Sequence, residues 1–415
     1  MSDVEPSDPP GKQRLYPMSF RKFQRPFAFL FILMVVTGCA NQKPSRLIAQ
    51  TMAPARTDQI EATHEIFIAT NRAAAEEPGE LFSGRRLAHQ GAPKAAFAHV
   101  DVSIPKVHET GKLELSPNPA VADPARYFTA QKAVLYPDAS DFEAALRKSI
   151  ASHGGRALVF IHGYNTGFDD AVYRAAQIFN DADYSGTPIM FSWPSAGRML
   201  DYVYDQNSAT TARDALEETL RLVVRAGAKR IDIVAHSMGS WVTMEALRQL
   251  AISGDRDLGG RLADVVLASP DLDIDVFKSQ MRRYGVPKKT FLILTSQNDR
   301  ALTLSGFIAG NQPRLGDYSD AKELTNLGVV VVDVTKVSSG DWLNHTKFAE
   351  NPILVRLLGE RLSSEGNLNA RDHDAVAGKL ETLVRGLGQT VGTAADIVIT
   401  TPLTVIDLAT GPVRR

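Results

Sequence analysis

The chain has 415 residues, 44% of them hydrophobic and 22% charged, the proportions of an ordinary globular protein large enough for one big domain or two smaller ones. A formal net charge of −1, with no dense basic tract, argues against a nucleic-acid partner. The single cysteine, Cys39, excludes an internal disulfide.

That cysteine follows a basic flank, R-K-F-Q-R-P, and a short apolar run over 27–36 that ends V-T-G-C. The run is too short to span a bilayer, which takes roughly 20 apolar residues, and it fits a secretory signal. Residues 1–17 precede a second methionine, Met18, and read as an extension or a misplaced start. The V-T-G-C ending resembles a bacterial lipobox. By that resemblance Cys39 carries lipid as the first mature residue, residues 1–38 are removed, and Asn41 favours the outer membrane. Without the five basic and three acidic residues before Cys39, 41 basic residues face 44 acidic ones. Residues 39–62 are polar with Pro and Ala, as a tether would be.

A domain over 63–360 follows. Ile66–Ala69 and Ala133–Pro137 are strand candidates, and His99–Pro105 alternates with the period of two expected of a half-buried strand. In the centre, short apolar runs recur at Leu158–His162, Ile189–Trp193, Ile231–Ala235, Val265–Ala268, Phe291–Thr295 and Val329–Val334. Helical patterns at Ala209–Ala226 and Gly239–Ala251 lie among them. Continuous apolar strands alternating with amphipathic helices predict a mostly parallel sheet with helices on both faces. Functional groups then gather beyond the carboxyl ends of the strands. After residue 360, a helical face through Val376, Leu380, Leu383 and Leu387 and an apolar stretch from Ile397 to Leu408 are expected to pack back as a helical tail.

One junction stands out. I-D-I-V-A-H-S-M-G-S-W runs from strand through tight turn to helix, the setting of a nucleophile elbow, with Ser237 at the turn. The pattern is A-x-S-x-G, with Ala235 where glycine is commoner. A serine hydroxyl needs a base to take its proton, and a base needs an acid to orient it. Two histidines follow Ser237 in the chain. His345 lies in a loop after the last apolar run, whereas His373 sits in a charged R-D-H-D segment. For the acid, Asp299 ends the strand Phe291–Thr295 region in N-D-R-A-L, with Asp271 and Asp273 of S-P-D-L-D as alternatives. Each of the three also fits a helix N-cap. The Asp271-x-Asp273-x-Asp275 spacing lacks the Gly and Glu of a calcium loop. Met238 and Tyr164, the latter in F-I-H-G-Y-N, are candidate oxyanion-hole amides, with His162 as a brace. Trp193 in F-S-W-P is either a wall of the acyl pocket or a core residue.

With H-G-Y-N, F-S-W-P, A-H-S-M-G, S-P-D-L-D, N-D-R-A-L and N-H-T-K in this order, residues 64–360 resemble the α/β-hydrolase superfamily, in an uncharacterised bacterial branch with esterase- or lipase-like triads. The resemblance implies an α/β-hydrolase fold, Ser237 as nucleophile, His345 as base and Asp299 as acid. It implies cleavage of a small-molecule or lipid ester through an acyl-enzyme, with no cofactor and no metal. The protein is then expected in the cell envelope, lipid-anchored and facing the periplasm. Transfer of the acyl group to an acceptor other than water, or a silent envelope scaffold, are the competing readings.

Overall fold

The structure, a computed structural model, describes residues 48, 52–76, 79–87, 95–338, 341–363, 378, 382, 397–402, 405–407 and 411–412. Cys39, the apolar run before it, His373 and most of the expected 376–387 helix lie outside them.

The strands are β1 (Ile60–Thr70), β2 (Arg72–Ala74), β3 (Phe82–Arg86), β4 (Ala96–Pro105), β5 (Thr129–Tyr136), β6 (Arg156–Ile161), β7 (Thr187–Ser192), β8 (Arg230–His236), β9 (Leu262–Ala268), β10 (Phe291–Thr295), β11 (Val330–Asp333), β12 (Val398–Thr400), β13 (Val405–Asp407) and β14 (Gly411–Pro412). Among the described residues twelve of them form one sheet, in the order β14-β13-β12-β11-β10-β9-β8-β6-β7-β1-β4-β5, and β2 pairs with β3. From β1 through β7, β6, β8, β9 and β10 to β11, neighbours run parallel. β4 and β5 add antiparallel on one edge, β12 to β14 on the other.

The helices are α1 (Ala139–Ser152), α2 (Phe168–Asp181), α3 (Tyr202–Arg225), α4 (Gly239–Ile252), α5 (Ile274–Tyr284), α6 (Arg300–Ile308), α7 (Ala321–Thr325), α8 (Lys347–Glu350) and α9 (Pro352–Ser363). They explain why the central strands carry apolar residues on both faces. Ile231, Ile233 and Ala235 of β8 face a core shared with Phe142 of α1, Leu216 of α3, Val242 of α4 and Phe277 of α5. Val234 faces the other core, with Val172 and Phe179 of α2 and Leu354 of α9. A strand buried on both sides has no polar face to show.

Several boundaries differ from the sequence reading. β1 starts at Ile60, because I-E-A-T-H-E-I alternates inward and outward residues against β4 before the continuous run begins. Ile48 is fully buried and Met52 bridges to Ala130, so part of the expected tether packs on the domain. The apolar stretch from Ile397 enters as strand, not helix. Its I-V-I-T-T residues are β-branched, and Val398–Thr400 pair with the open edge of β11.

The chain runs from β6 to β7 on one side of the sheet and later places β8 on the other side of β6. Loops leaving β6 and β8 therefore part at a topological switch point, the position at which open α/β sheets bind their ligands.

Candidate active site

Ser237 stands where β8 meets α4. Its φ is +52°, a left-handed conformation that a non-glycine residue adopts only when its surroundings enforce it. The enforcement is visible. The Ser237 amide donates to the Ala268 carbonyl of β9 at 3.0 Å, and the Ser237 carbonyl accepts from Ser240 N at 3.0 Å as α4 begins. The crossing needs Gly239: a Cβ there would lie 2.5 Å from the His162 carbonyl oxygen and 2.7 Å from that of Ile161. Ala235, fully buried, fits without glycine.

The loop after β6 presses on the same point. A Cβ on Gly163 would fall 2.9 Å from both Ser237 Cβ and His236 Nδ1. Tyr164 is thereby held beside Ser237, with Met238 on the other side of that serine at the head of α4. Among the described residues neither the Tyr164 nor the Met238 amide is taken by a carbonyl or a side chain. Both remain available to a developing oxyanion.

Asp299 and His345 meet directly. The His345 Nδ1–H donates to Asp299 Oδ2 at 2.7 Å, and Asp299 is fully buried. The other carboxylate oxygen, Oδ1, accepts from Leu302 N at 3.0 Å, so Asp299 also caps α6. Asp341 folds the loop that delivers the imidazole, accepting from His345 N at 3.1 Å. Burial pushes the His345 pKa down, but the Asp299 hydrogen bond and the charges of Asp299, Asp271 and Asp341 outweigh it, and the net direction is upward.

The alternative acids are engaged elsewhere. Asp271 pairs with buried Arg314, Nε to Oδ1 at 3.0 Å, and accepts from Ser305 Oγ and the Tyr202 hydroxyl. Asp273 caps α5 through Asp275 N and Val276 N. His236 links Ser237 to His345: its Nε2–H donates to the His345 carbonyl at 3.3 Å, and the two rings lie 4.8 Å apart. Burial, then the charge of His345, keeps His236 neutral. Among the described residues no hydrogen bond joins Ser237 Oγ to the His345 ring; such bonds are often long in ligand-free sites.

Two buried cations, both missed from sequence, hold these loops. Arg72 follows β1 and donates to Ser192 Oγ at 2.8 Å, to the carbonyls of Ser195 and Thr166 at 2.9 Å each, and to His162 Nε2 at 3.3 Å. His162 in turn donates Nδ1–H to the Gly163 carbonyl at 2.9 Å, and burial with the Arg72 charge drives its pKa down to about 3. Trp193 is fully buried, stacked on His162, and donates to the His162 carbonyl at 2.7 Å. It is a core residue that braces the oxyanion loop. Lys347, two residues after His345, donates to Ser296 Oγ, Asn298 Oδ1 and the carbonyls of Val334 and Thr335, which ties the acid loop to the end of β11.

Comparison with known proteins agrees with this frame. A family model described as an α/β hydrolase of unknown function (DUF900) matches residues 138–361, more than half of the chain. The chain belongs to that family. It has the α/β-hydrolase fold, and the matched segment holds all three triad candidates. An uncharacterized protein of Nostoc sp. is 27% identical over 159 residues, 32% of this chain and 40% of the relative. The chain thus spans well under two thirds of that relative's length. An esterase from Pyrobaculum calidifontis in its monoclinic form is similar at 12% identity and a TM-score of 0.32, over 81% of this chain and 97% of that one.

Donor atoms for a metal lie close together in one group among the described residues: Glu65 on β1 with His99 and Asp101 on β4, all within 4.8 Å. Lys132 of β5 stands directly opposite Asp101 in the sheet, so a cationic side chain already faces this group. It sits where β1 pairs antiparallel with β4, away from the loops after β6 and β8 that carry Tyr164 and Ser237.

Proposed function

We propose that this hydrolase cleaves carboxylic esters by a serine-dependent, acyl-enzyme route. Ser237 Oγ attacks the ester carbonyl while His345 Nε2 takes the hydroxyl proton. Asp299 keeps the Nδ1–H tautomer and stabilises the imidazolium. The Met238 and Tyr164 amides receive the oxyanion. The imidazolium returns its proton to the departing alcohol, and water, activated by the same imidazole, releases the acid and frees Ser237. The observation that carries this reading is the 2.7 Å Asp299–His345 bond beside a serine held at φ +52°.

The test is labelling with a fluorophosphonate, followed by turnover of p-nitrophenyl esters of rising chain length. Wild type is expected to be labelled and Ser237→Ala not. An unlabelled wild type that turns over none of the esters would favour a silent binding protein. From V-T-G-C we also infer that Cys39 carries a lipid anchor that holds the domain at the envelope. Incorporation of a palmitate analogue that Cys39→Ala abolishes would support it, and incorporation that survives the substitution would refute it.

A further inference from the structure

The described residues include thirteen large hydrophobic side chains that are exposed, and seven of them lie on three segments: Met199, Leu200 and Val203; Leu304, Phe307 and Ile308; and Trp342. Each segment is joined to the candidate active site. The Tyr164 hydroxyl donates to the Met199 carbonyl, which fixes the 199–203 segment to the oxyanion loop. α6 begins at the cap supplied by Asp299. Trp342 lies three residues before His345, and its neighbour Leu343 accepts from Arg300 N at 2.9 Å, which ties that loop to α6. Tyr202 closes the ring between the first and second segments, since its hydroxyl and Ser305 of α6 both meet Asp271 and Arg314.

α6 shows that the exposure is patterned. Leu302 and Ser305 point inward, while Leu304, Phe307 and Ile308, spaced i, i+3, i+4, form one outward apolar stripe. Leu200 is 82% exposed, Phe307 70% and Trp342 71%. Side chains this exposed add little to the core, and apolar residues grouped on segments joined to one site mark an interaction surface.

We infer that the rim is the docking surface for a lipid–water interface, and that the substrate of Ser237 is a long-chain ester held in it. The inference rests on the serine-ester reading above. A lipid is favoured over a protein because exposed apolar residues are joined to each of the loops that carry Tyr164, Asp299 and His345. A folded partner seated there would close the entrance, whereas acyl chains cover the rim and reach Ser237 together. A tryptophan at the edge suits the headgroup zone.

The test uses the full chain carrying Cys39→Ala, so that no attached lipid contributes, with the rim intact or bearing Leu200→Gln, Leu304→Gln and Phe307→Gln together. Phosphatidylcholine vesicle flotation and hydrolysis of p-nitrophenyl butyrate and of dispersed p-nitrophenyl palmitate are measured. The intact rim is expected to float. The triple variant should lose at least about tenfold in vesicle partition and in palmitate turnover, given three large apolar groups removed, with butyrate turnover within about threefold. Butyrate turnover without flotation of the intact rim, or equal flotation of both proteins, overturns the inference alone. Flotation without turnover of either ester overturns the triad reading, and the substrate assignment with it. A dimer that the triple variant dissolves would overturn lipid docking in favour of a second copy on the rim.

Discussion

Asp299 performs two tasks with one carboxylate, and two substitutions separate them. Oδ1 caps α6 through Leu302 N, and Oδ2 holds the imidazole. Asp299→Asn preserves the cap, since Asn and Asp are nearly equal at that position, so stability should change by less than about 1 kcal/mol. Its amide NH₂ then faces His345 Nδ1 and forces the other tautomer, in which Nε2 carries the proton and cannot accept one from serine. The expected loss is about 10⁴ in kcat, or about 5.5 kcal/mol of transition-state stabilisation. Asp299→Ala should lose a similar factor in rate and a further ~1 to 2 kcal/mol of stability, because the cap goes as well. Ester kinetics with active-site titration give the first quantity, and urea unfolding followed by circular dichroism gives the second. If Asp299→Asn kept activity within tenfold of wild type, Asp299 would not be the triad acid. If the Asn and Ala variants unfolded at the same urea concentration, the cap would carry no energy.

Further outcomes follow from the same geometry. Attack needs neutral His345, and its pKa is raised, so kcat/KM should fall as pH drops, with a midpoint above the usual histidine value near 6.5. A midpoint at or below 6.5 in a pH–rate profile would contradict the Asp299 pairing. His108, between Asp181 at 2.6 Å and Glu114 at 2.8 Å, has its pKa driven up to about 9 as the two carboxylates overcome burial. A raised folded pKa means stability that is fully present below about 6.5 and lost as pH climbs through about 9, worth on the order of 3 kcal/mol. Unfolding free energies across that window should show the slope in wild type and a flatter curve in His108→Gln. Arg72→Met should cost about 3 kcal/mol or more, because several buried acceptors lose their donor; an unchanged urea midpoint would remove Arg72 as the brace. Gly163→Ala should lower fluorophosphonate labelling at least tenfold, since the added Cβ pushes on Ser237 itself; labelling at the wild-type rate would mean the loop yields freely.

The central sheet was legible because strands buried on both faces leave continuous apolar runs, and those at Leu158, Ile231 and Phe291 start within a residue or two of β6, β8 and β10. The strand–turn–helix around Ser237 was legible for a related reason: periodicity changes from two to 3.6 at a small residue. Arg72 and Lys347 were not, because a buried cation satisfied by carbonyls has the same one-dimensional signature as a solvated one. Sequence order favoured Asp299 but left Asp271 and Asp273 as alternatives, since all three follow strands and precede helices; in the structure Asp299 bonds His345. For Ile397–Thr400 a signal existed, in β-branching that outweighs the apolar count. The start of α3 at Tyr202, seven residues before the expected Ala209, had none, because no side chain caps it.

The family match covers 138–361, yet the folded unit reaches well beyond it at both ends. β1 fills the place next to β7, and Arg72, two residues past β1, grips the carbonyls of Ser195 and Thr166 behind the Tyr164 loop. At the far side, Val398–Thr400 seal the last parallel strand ahead of the histidine loop. Trimming the protein to its recognisable segment would therefore strip both flanks of the sheet and bare two rows of backbone amides. Such a fragment would keep every reacting group and lose the scaffold that aims them, and its inactivity would say nothing about the chemistry of the whole.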